Sequence, residues 1–305
     1  MEVASSARSL PLPLLKKRPR SYLIGASGLG LLPAVLAFGI AVLWPAIAIF
    51  QRSLEANPLA DPSLVHRPWD NYAKLFSEPL YLDAMIRTLR VSVICTVASI
   101  LISLAIVVGL TAYRRKEVSS IWIFALIAPI LSGPIIIALG WIGLFVNDGI
   151  GFMVVNAVRA LFGFPEGRVL DTEVAMTIGT IHFVVPFAVL TLYPVARAVP
   201  RELLDVSLTL GVRPVATLWR VFLPMCRSGL IAASIIALAM ALSAFVNAQF
   251  LGGERNLVLT TLVSQLINTF NPTMAAAASA VLVVLGLALV AAYGRILARL
   301  EARRT

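Results

Sequence analysis

Charge is scarce in this sequence. Asp, Glu, Lys and Arg together supply 13% of its 305 residues, about half the share of roughly 25% usual in soluble domains. A chain with so few charges cannot cover a water-exposed surface, which excludes an ordinary soluble enzyme. Cysteine is nearly absent, with two residues, and histidine likewise, with two. That excludes a disulfide framework and any His/Cys cluster at metal-ligand spacing. No Gly-x-x-x-x-Gly-Lys-Ser/Thr is present, so nothing here cradles a nucleoside triphosphate, and no nucleophile elbow or fixed-period repeat appears.

What the sequence has is apolar length. Hydrophobic residues make up 59% of it, gathered into six runs at about 23–50, 86–111, 119–146, 174–198, 229–251 and 273–296. Each approaches the ~20 residues a helix needs to cross the hydrocarbon. No Asp or Glu falls within the second to sixth of these runs. The expected fold class is all-α integral membrane, with six transmembrane helices. A net charge of +10 would point to nucleic acid in a soluble protein, but basic residues also set membrane topology. With the N-terminus in the cytoplasm, 17 of the 25 basic residues lie on that side, in the tail up to Arg20, at Arg114–Lys116, between Arg197 and Arg227, and after the last span. Ten of the 15 acidic residues lie opposite. The positive-inside rule therefore puts both termini of a multi-pass membrane protein in the cytoplasm and leaves no reason to invoke nucleic acid.

Three domains are expected: a basic tail over 1–22 lying against lipid headgroups, a transmembrane domain over 23–297, and a short cytoplasmic tail over 298–305. The run after "LLKKRPR" is about twice the usual 7–15 residues of a secretory h-region and no small-x-small site follows, so it reads as a retained anchor. Residues 51–85 form an outer loop with a short helix from Trp69 to Phe76. A short amphipathic helix follows Asn147-Asp148-Gly149. Cys95 and Cys226 belong to different membrane levels and are not expected to pair. His66 and His182 are isolated, and His182, inside the fourth run, fits a hydrogen bond to a neighbouring helix or a place facing a pore.

One polar stretch interrupts this pattern, "DVSLTLGVRPVATLWRVFLP", Asp205 to Pro224. Pro200 suits the first turn of a helix reaching about Leu210, with Gly211 just past its end. Pro214 starts a second helix, in which Val215, Leu218, Trp219 and Phe222 fall at i, i+3, i+4 and i+7 as one apolar stripe, with Arg213, Thr217 and Arg220 away from it. Pro224 marks the exit towards the fifth span. A plain connection would be far shorter. The pattern alone leaves two readings open: a helix lying on headgroups, or a surface held by a partner.

The spacing of Asp205, Gly211 and Val221-Phe222-Leu223-Pro224 resembles the "EAA" loop of ATP-binding-cassette importer permeases: Glu-Ala-Ala, three residues, Gly, nine residues, Ile-x-Leu-Pro. Gly, Leu and Pro match in place and Val221 stands for Ile, while Asp205-Val206-Ser207 replaces Glu-Ala-Ala. "NYAKLFSEPLYLDAMIRTLRVSVICTVASILISLAIVVGLTAYRR" and "ALSAFVNAQFLGG" are similar to the spermidine/putrescine-type branch. The resemblance covers about residues 70–290 and implies a type I importer permease fold, with a cytoplasmic coupling loop at about 199–226. It implies the bacterial inner membrane as location and, as partners, a second permease subunit (a heterodimer), two cytoplasmic ATPases and a periplasmic binding protein. ATP and Mg²⁺ would reside on the ATPase, no cofactor on this chain. The coupling residues implied are Asp205, Val206, Ser207, Gly211, Arg213, Val221, Leu223 and Pro224.

A solute pathway is expected along spans three to six, where polar groups interrupt the apolar runs, with Ser132, Gly133, Pro134 and Trp141 in the third span and Ser243, Asn247 and Gln249 in the fifth as candidates. Each also fits an interhelical hydrogen bond or an interfacial anchor. The implied solute is a polyamine or a related small polar or charged organic molecule. With no carboxylate in spans two to six, a polyamine would rely on aromatic faces and the partner permease. Other substrates of the superfamily, such as ferric iron, a phosphonate or an opine, remain open. A secondary transporter would need an ion-coupling site and usually more spans, neither of which is visible. A channel subunit would not require the helix-Gly-helix loop.

Overall fold

The computed structural model describes residues 21–57, 67–112 and 120–302. The basic tail up to Arg20, His66, the Arg114–Lys116 cluster and the last three residues lie outside the described residues. All regular structure described is helical, as expected where lipid offers backbone groups no partner and each apolar segment must satisfy its own. Residues up to Ala48 form one unit, occupied from Ser21 by the apolar helix α1 (Ser21–Ser53), and Ile49 onward form a second, which holds every site residue predicted above.

The frame of this second unit is α3 (Pro79–Ala112), α6 (Glu173–Arg197) and α10 (Arg227–Leu242), which pack on one another. Small side chains make this contact. Along α3, Thr88, Ser92, Thr96, Ser99 and Ser103 recur every three or four residues, and all are buried. Gly179, Thr180, Ala188 and Ala196 on α6 and Gly229, Ala233, Ser234, Ala237 and Ala241 on α10 are likewise small and buried. In lipid there is no hydrophobic drive between helices, and small residues let backbones approach closely enough for dispersion and hydrogen bonds to hold them. Ser103 Oγ donates to the Val185 carbonyl at 3.3 Å. Larger apolar residues close the two ends. Phe145, Val169, Met176 and Leu251 fill one, and Val107, Leu192, Val199 and Phe222 the other.

Several helices depart from single straight spans. α4 (Ser120–Phe145) kinks at Gly133, whose φ of 74° between Pro129 and Pro134 only glycine adopts without strain. The fifth apolar run, expected as one span over 229–251, is two helices: α10 ends at Leu242 and α11 (Phe245–Leu251) starts three residues on. Ala244 has ψ 64°, and Ser243 Oγ donates back to the Met240 carbonyl at 3.1 Å, offering the backbone an alternative to the helical ladder. Among the described residues, five helices are long and apolar enough to span a membrane, or six if a pair bent by 75° beside Cys226, Pro214–Met225 with α10, counts as one.

Shorter helices complete the unit. α2 (Asp70–Ser77) and α5 (Ile150–Leu161) occupy the two expected connections. α12 (Leu259–Asn268) fills the connection to α13 (Pro272–Ala302), where the sequence pattern predicts no element. Leu259, Leu262 and Leu266 give α12 its buried face against Leu75, Met85 and Met274. Cys95 and Cys226 are both buried free thiols.

Candidate functional site

The polar loop folds as two short helices around a glycine. Pro200 caps α7 (Arg201–Thr209) rather than entering its first turn. Gly211 has φ +78°, and two bonds close the helix end around it: Gly211 N–H donates to the Leu208 carbonyl at 3.0 Å and Val212 N–H to that of Ser207 at 3.2 Å. This is the six-to-one and five-to-two pair of a Schellman end, which needs a left-handed residue at that place. Pro214 then begins α8 (Pro214–Thr217), continued by a π-helical turn over Leu218–Phe222 and by α9 (Leu223–Met225). Arg213 supplies the extended N-cap position of α8.

The π-turn corrects the single apolar stripe expected for this second helix. An i→i+5 turn, closed by Leu223 N–H on the Leu218 carbonyl, rotates the residues beyond it away from the 3.6-residue phase. Phe222 is driven into the core beside Leu192, Ala196 and Val199 and anchors the loop. Trp219, 62% exposed, and Val215 face outward instead. Thr217, expected away from the apolar side, is buried against Ser207, whose hydroxyl it meets at 2.8 Å. The result is a rigid hairpin of helices presenting Leu203, Val206, Leu210, Val215 and Trp219. Asp205, Arg213 and Arg220 are exposed around them, and Val221, Leu223 and Pro224 are half-buried.

The expected pathway residues separate into four groups. Ser132, beside the Gly133 kink, and Ser243, at the helix break, each donate to a carbonyl of their own helix, Ala128 at 2.8 Å and Met240 at 3.1 Å. Asn247 is only 1% exposed, and its Oδ1 has no partner among the described residues. It lies against Gly179 at the crossing of α6 and α11, so it faces helix packing rather than an opening. Gln249 lines a cavity of about 820 Å³ at the end remote from the loop, with Arg168, Glu254, Arg255, Gln265 and Asn268 among its walls. Trp141 is joined to a residue absent from the expected set. Its Nε1–H donates to His182 Nδ1 at 3.0 Å, while its ring stacks on Phe145 with centroids 4.9 Å apart.

The end remote from the loop carries a charged clasp that the sequence pattern did not single out. Arg90 grips both carboxylate oxygens of Glu173 in the first turn of α6, with Nε–Oε1 2.8 Å. Arg87 reaches the same carboxylate at 3.6 Å and donates to the Leu257 carbonyl at 3.0 Å. Thr88 Oγ1 accepts the Leu259 N–H at 2.8 Å. Together they tie α3 to α6 and to the start of α12. The available signal was an Arg-x-x-Arg at the edge of an apolar run.

A bundle of membrane-length helices with a rigid exposed hairpin at one end and a polar cavity at the other has the build of a transport permease. Among the described residues there is no metal-binding cluster. The chain belongs to the binding-protein-dependent transport system inner membrane components, whose family model matches residues 91–305. It is a multi-pass inner-membrane transport subunit and not an enzyme. It is 27% identical over 224 residues to the spermidine/putrescine transport system permease protein PotB of Escherichia coli (strain K12), covering 72% of this chain and 79% of that one. It is 28% identical over 228 residues to the PotB of Haemophilus influenzae, covering 74% and 78%. A solved bacterial ABC transporter for import of the acidic polysaccharide alginate shares the fold, with a TM-score of 0.68 and 18% identity over 92% of this chain and 96% of that chain. The architecture is therefore that of a type I importer permease.

Proposed function

We propose that this chain is the membrane subunit through which an ATP-driven importer passes a polyamine, or a related small polar or charged organic solute, delivered by a periplasmic binding protein. The PotB relatives support that class of solute. The loop end faces the cytoplasm with both termini, following the distribution of basic residues. A second permease subunit completes the pathway, and two cytoplasmic ATPases hold ATP and Mg²⁺. No span of this chain carries the phosphate cradle for hydrolysis, so the energy arrives by contact.

The observation that carries this reading is the helix-Gly211-helix hairpin with its outward apolar set and its Phe222 anchor. Exposed Leu, Val and Trp at a polar end are costly unless a partner covers them. A rigid knob whose root lies among α3, α6 and α10 transmits displacement to the spans, which is what switching between inward- and outward-facing states needs. For a cationic solute, the carboxylates of spans two to six lie only near helix starts, at Asp83 and at Glu173, the latter held by Arg87 and Arg90, so counter-charge at mid-depth comes from the second permease or from aromatic faces. In vesicles holding the full complex, labelled spermidine should accumulate only with ATP and binding protein present. Accumulation without an ATPase subunit would refute the reading.

A further inference from the structure

Trp141 and His182 do more than tie two helices together. Indole N–H only donates, so His182 Nδ1 must present a lone pair and the imidazole proton sits on Nε2. The bond to Trp141 thus fixes both the tautomer and the ring plane. With one nitrogen occupied, Nε2–H remains as an uncharged donor, and the residue is nonetheless exposed. It lies nine residues beyond Glu173 along α6, about 14 Å below that end at 1.5 Å per residue, well inside the apolar depth of a helix running from Glu173 to Arg197. A free donor at that depth is not turned towards lipid, where nothing accepts it.

A second, independent feature lies at the same level. The fifth span breaks at Ser243–Ala244, eight residues or about 12 Å from its Leu251 end, and Ser243 there is exposed. Among the described residues, the Leu242 carbonyl has no backbone partner across the break. α11 packs on both α4 and α6, the helices that hold Trp141 and His182. Irregular backbone at membrane depth persists only where protein buries it or water reaches it. Ser243 is a polar side chain left exposed at this break, and water is the partner assigned here to the freed carbonyl.

We propose that His182, pinned by Trp141, lines a water-filled translocation pathway at the level of the α10–α11 break and hydrogen-bonds solute or its water through Nε2–H. This rests on the importer-permease reading of the chain. The site offers one neutral donor beside the Trp141 and Phe145 rings, suited to water or to an acceptor atom of a polar solute. Because it carries no charge, it neither repels a passing cation nor traps it.

Accessibility tests this directly in the assembled complex, in a background where Cys95 and Cys226 are replaced by Ala. A positively charged, membrane-impermeant thiosulfonate added from the periplasmic side should modify His182→Cys, about tenfold faster in one nucleotide state than in the other. Leu139→Cys, two residues and so about 200° from Trp141 around α4, should stay unreactive. Modification of His182→Cys at one rate in every nucleotide state would support the water-lined site but count against ATP-driven switching. No modification in any state, with full labelling after denaturation, would overturn the proposal and assign the face to a second permease chain or to lipid. As a second measure, His182→Gln, which keeps an N–H donor, should retain most transport while His182→Leu loses it at least tenfold with assembly unchanged. Equal transport by the two variants would contradict a hydrogen-bonding role.

Discussion

The hydroxyls of Ser207 and Thr217 meet at 2.8 Å, both buried, across the Gly211 turn. The first ends the Asp205-Val206-Ser207 triplet and the second sits one residue before the π-turn, so one hydrogen bond sets the angle between the two helices of the hairpin. Where the related motif has Ala, this chain has a polar group, and Thr217 is its compensation. Removing one hydroxyl leaves the other buried without a partner, at a cost of about 1–3 kcal/mol. Ser207→Ala and Thr217→Val should therefore each weaken coupling of transport to ATP hydrolysis, and the double variant should recover most of it. A thermodynamic cycle on thermal stability of the complex, read beside transport per ATP, checks this. Additive losses would mean the two hydroxyls do not act together.

Gly211 is the second constraint on that angle. Its φ of +78° lies where a β-branched residue is strained, although open space surrounds the position where a Cβ would stand. Gly211→Val should cost about 1–2 kcal/mol and re-aim α7, giving an inserted, assembled complex with ATPase activity uncoupled from transport. Gly211→Asn, which tolerates the left-handed region, should be milder. Equal, wild-type coupling in both would remove the turn from the mechanism.

Trp219 tests whether the hairpin is a docking surface or a helix lying on lipid. As the largest outward side chain of the apolar set, it has the character of an interface anchor, for which truncation costs about 2 kcal/mol or more. Trp219→Ala should weaken co-purification with the ATPase about thirtyfold in apparent affinity while leaving membrane insertion intact. Unchanged ATPase binding with weaker lipid association would favour the headgroup reading.

The crossing of α6 and α11 is predicted to be intolerant of bulk. A Cβ at Gly179 would overlap Leu251 Cδ1 and reach Asn247 Oδ1 at 3.5 Å. Overpacking of this kind costs about 1–3 kcal/mol, so Gly179→Ala should lower the melting temperature of the complex, and adding Leu251→Ala should restore part of the loss. No change on Gly179→Ala would show that α11 shifts freely.

Much of this was legible in the sequence because long apolar runs force helices and because Gly211, Pro214 and Pro224 punctuate the loop by backbone geometry alone. The short helices at Asp70 and Ile150 were legible for the same reason. The split at Ser243 was not, since it depends on a side chain competing with its own backbone inside an otherwise apolar run. The π-turn over Leu218–Phe222 escaped because a 3.6-residue pattern assumes the phase it is meant to test, so Thr217 fell on the wrong side. Asn247 read as a pathway residue because an amide in an apolar run carries no sign of which neighbour it faces. Trp141 was visible singly, but its bond to His182 needs two helices in register. α12 was missed because its apolar period sits among polar residues between two spans.

The central claim is that the hairpin converts ATP hydrolysis on another subunit into movement of solute through these spans. Its most direct test is simultaneous measurement of labelled spermidine uptake and ATP hydrolysis in vesicles carrying the complete complex, with binding protein added, for the wild type and for Gly211→Val. The account predicts stimulated hydrolysis with uptake in the wild type, and hydrolysis without uptake in the variant at equal assembly. Uptake by Gly211→Val at the wild-type ratio of solute to ATP would contradict it.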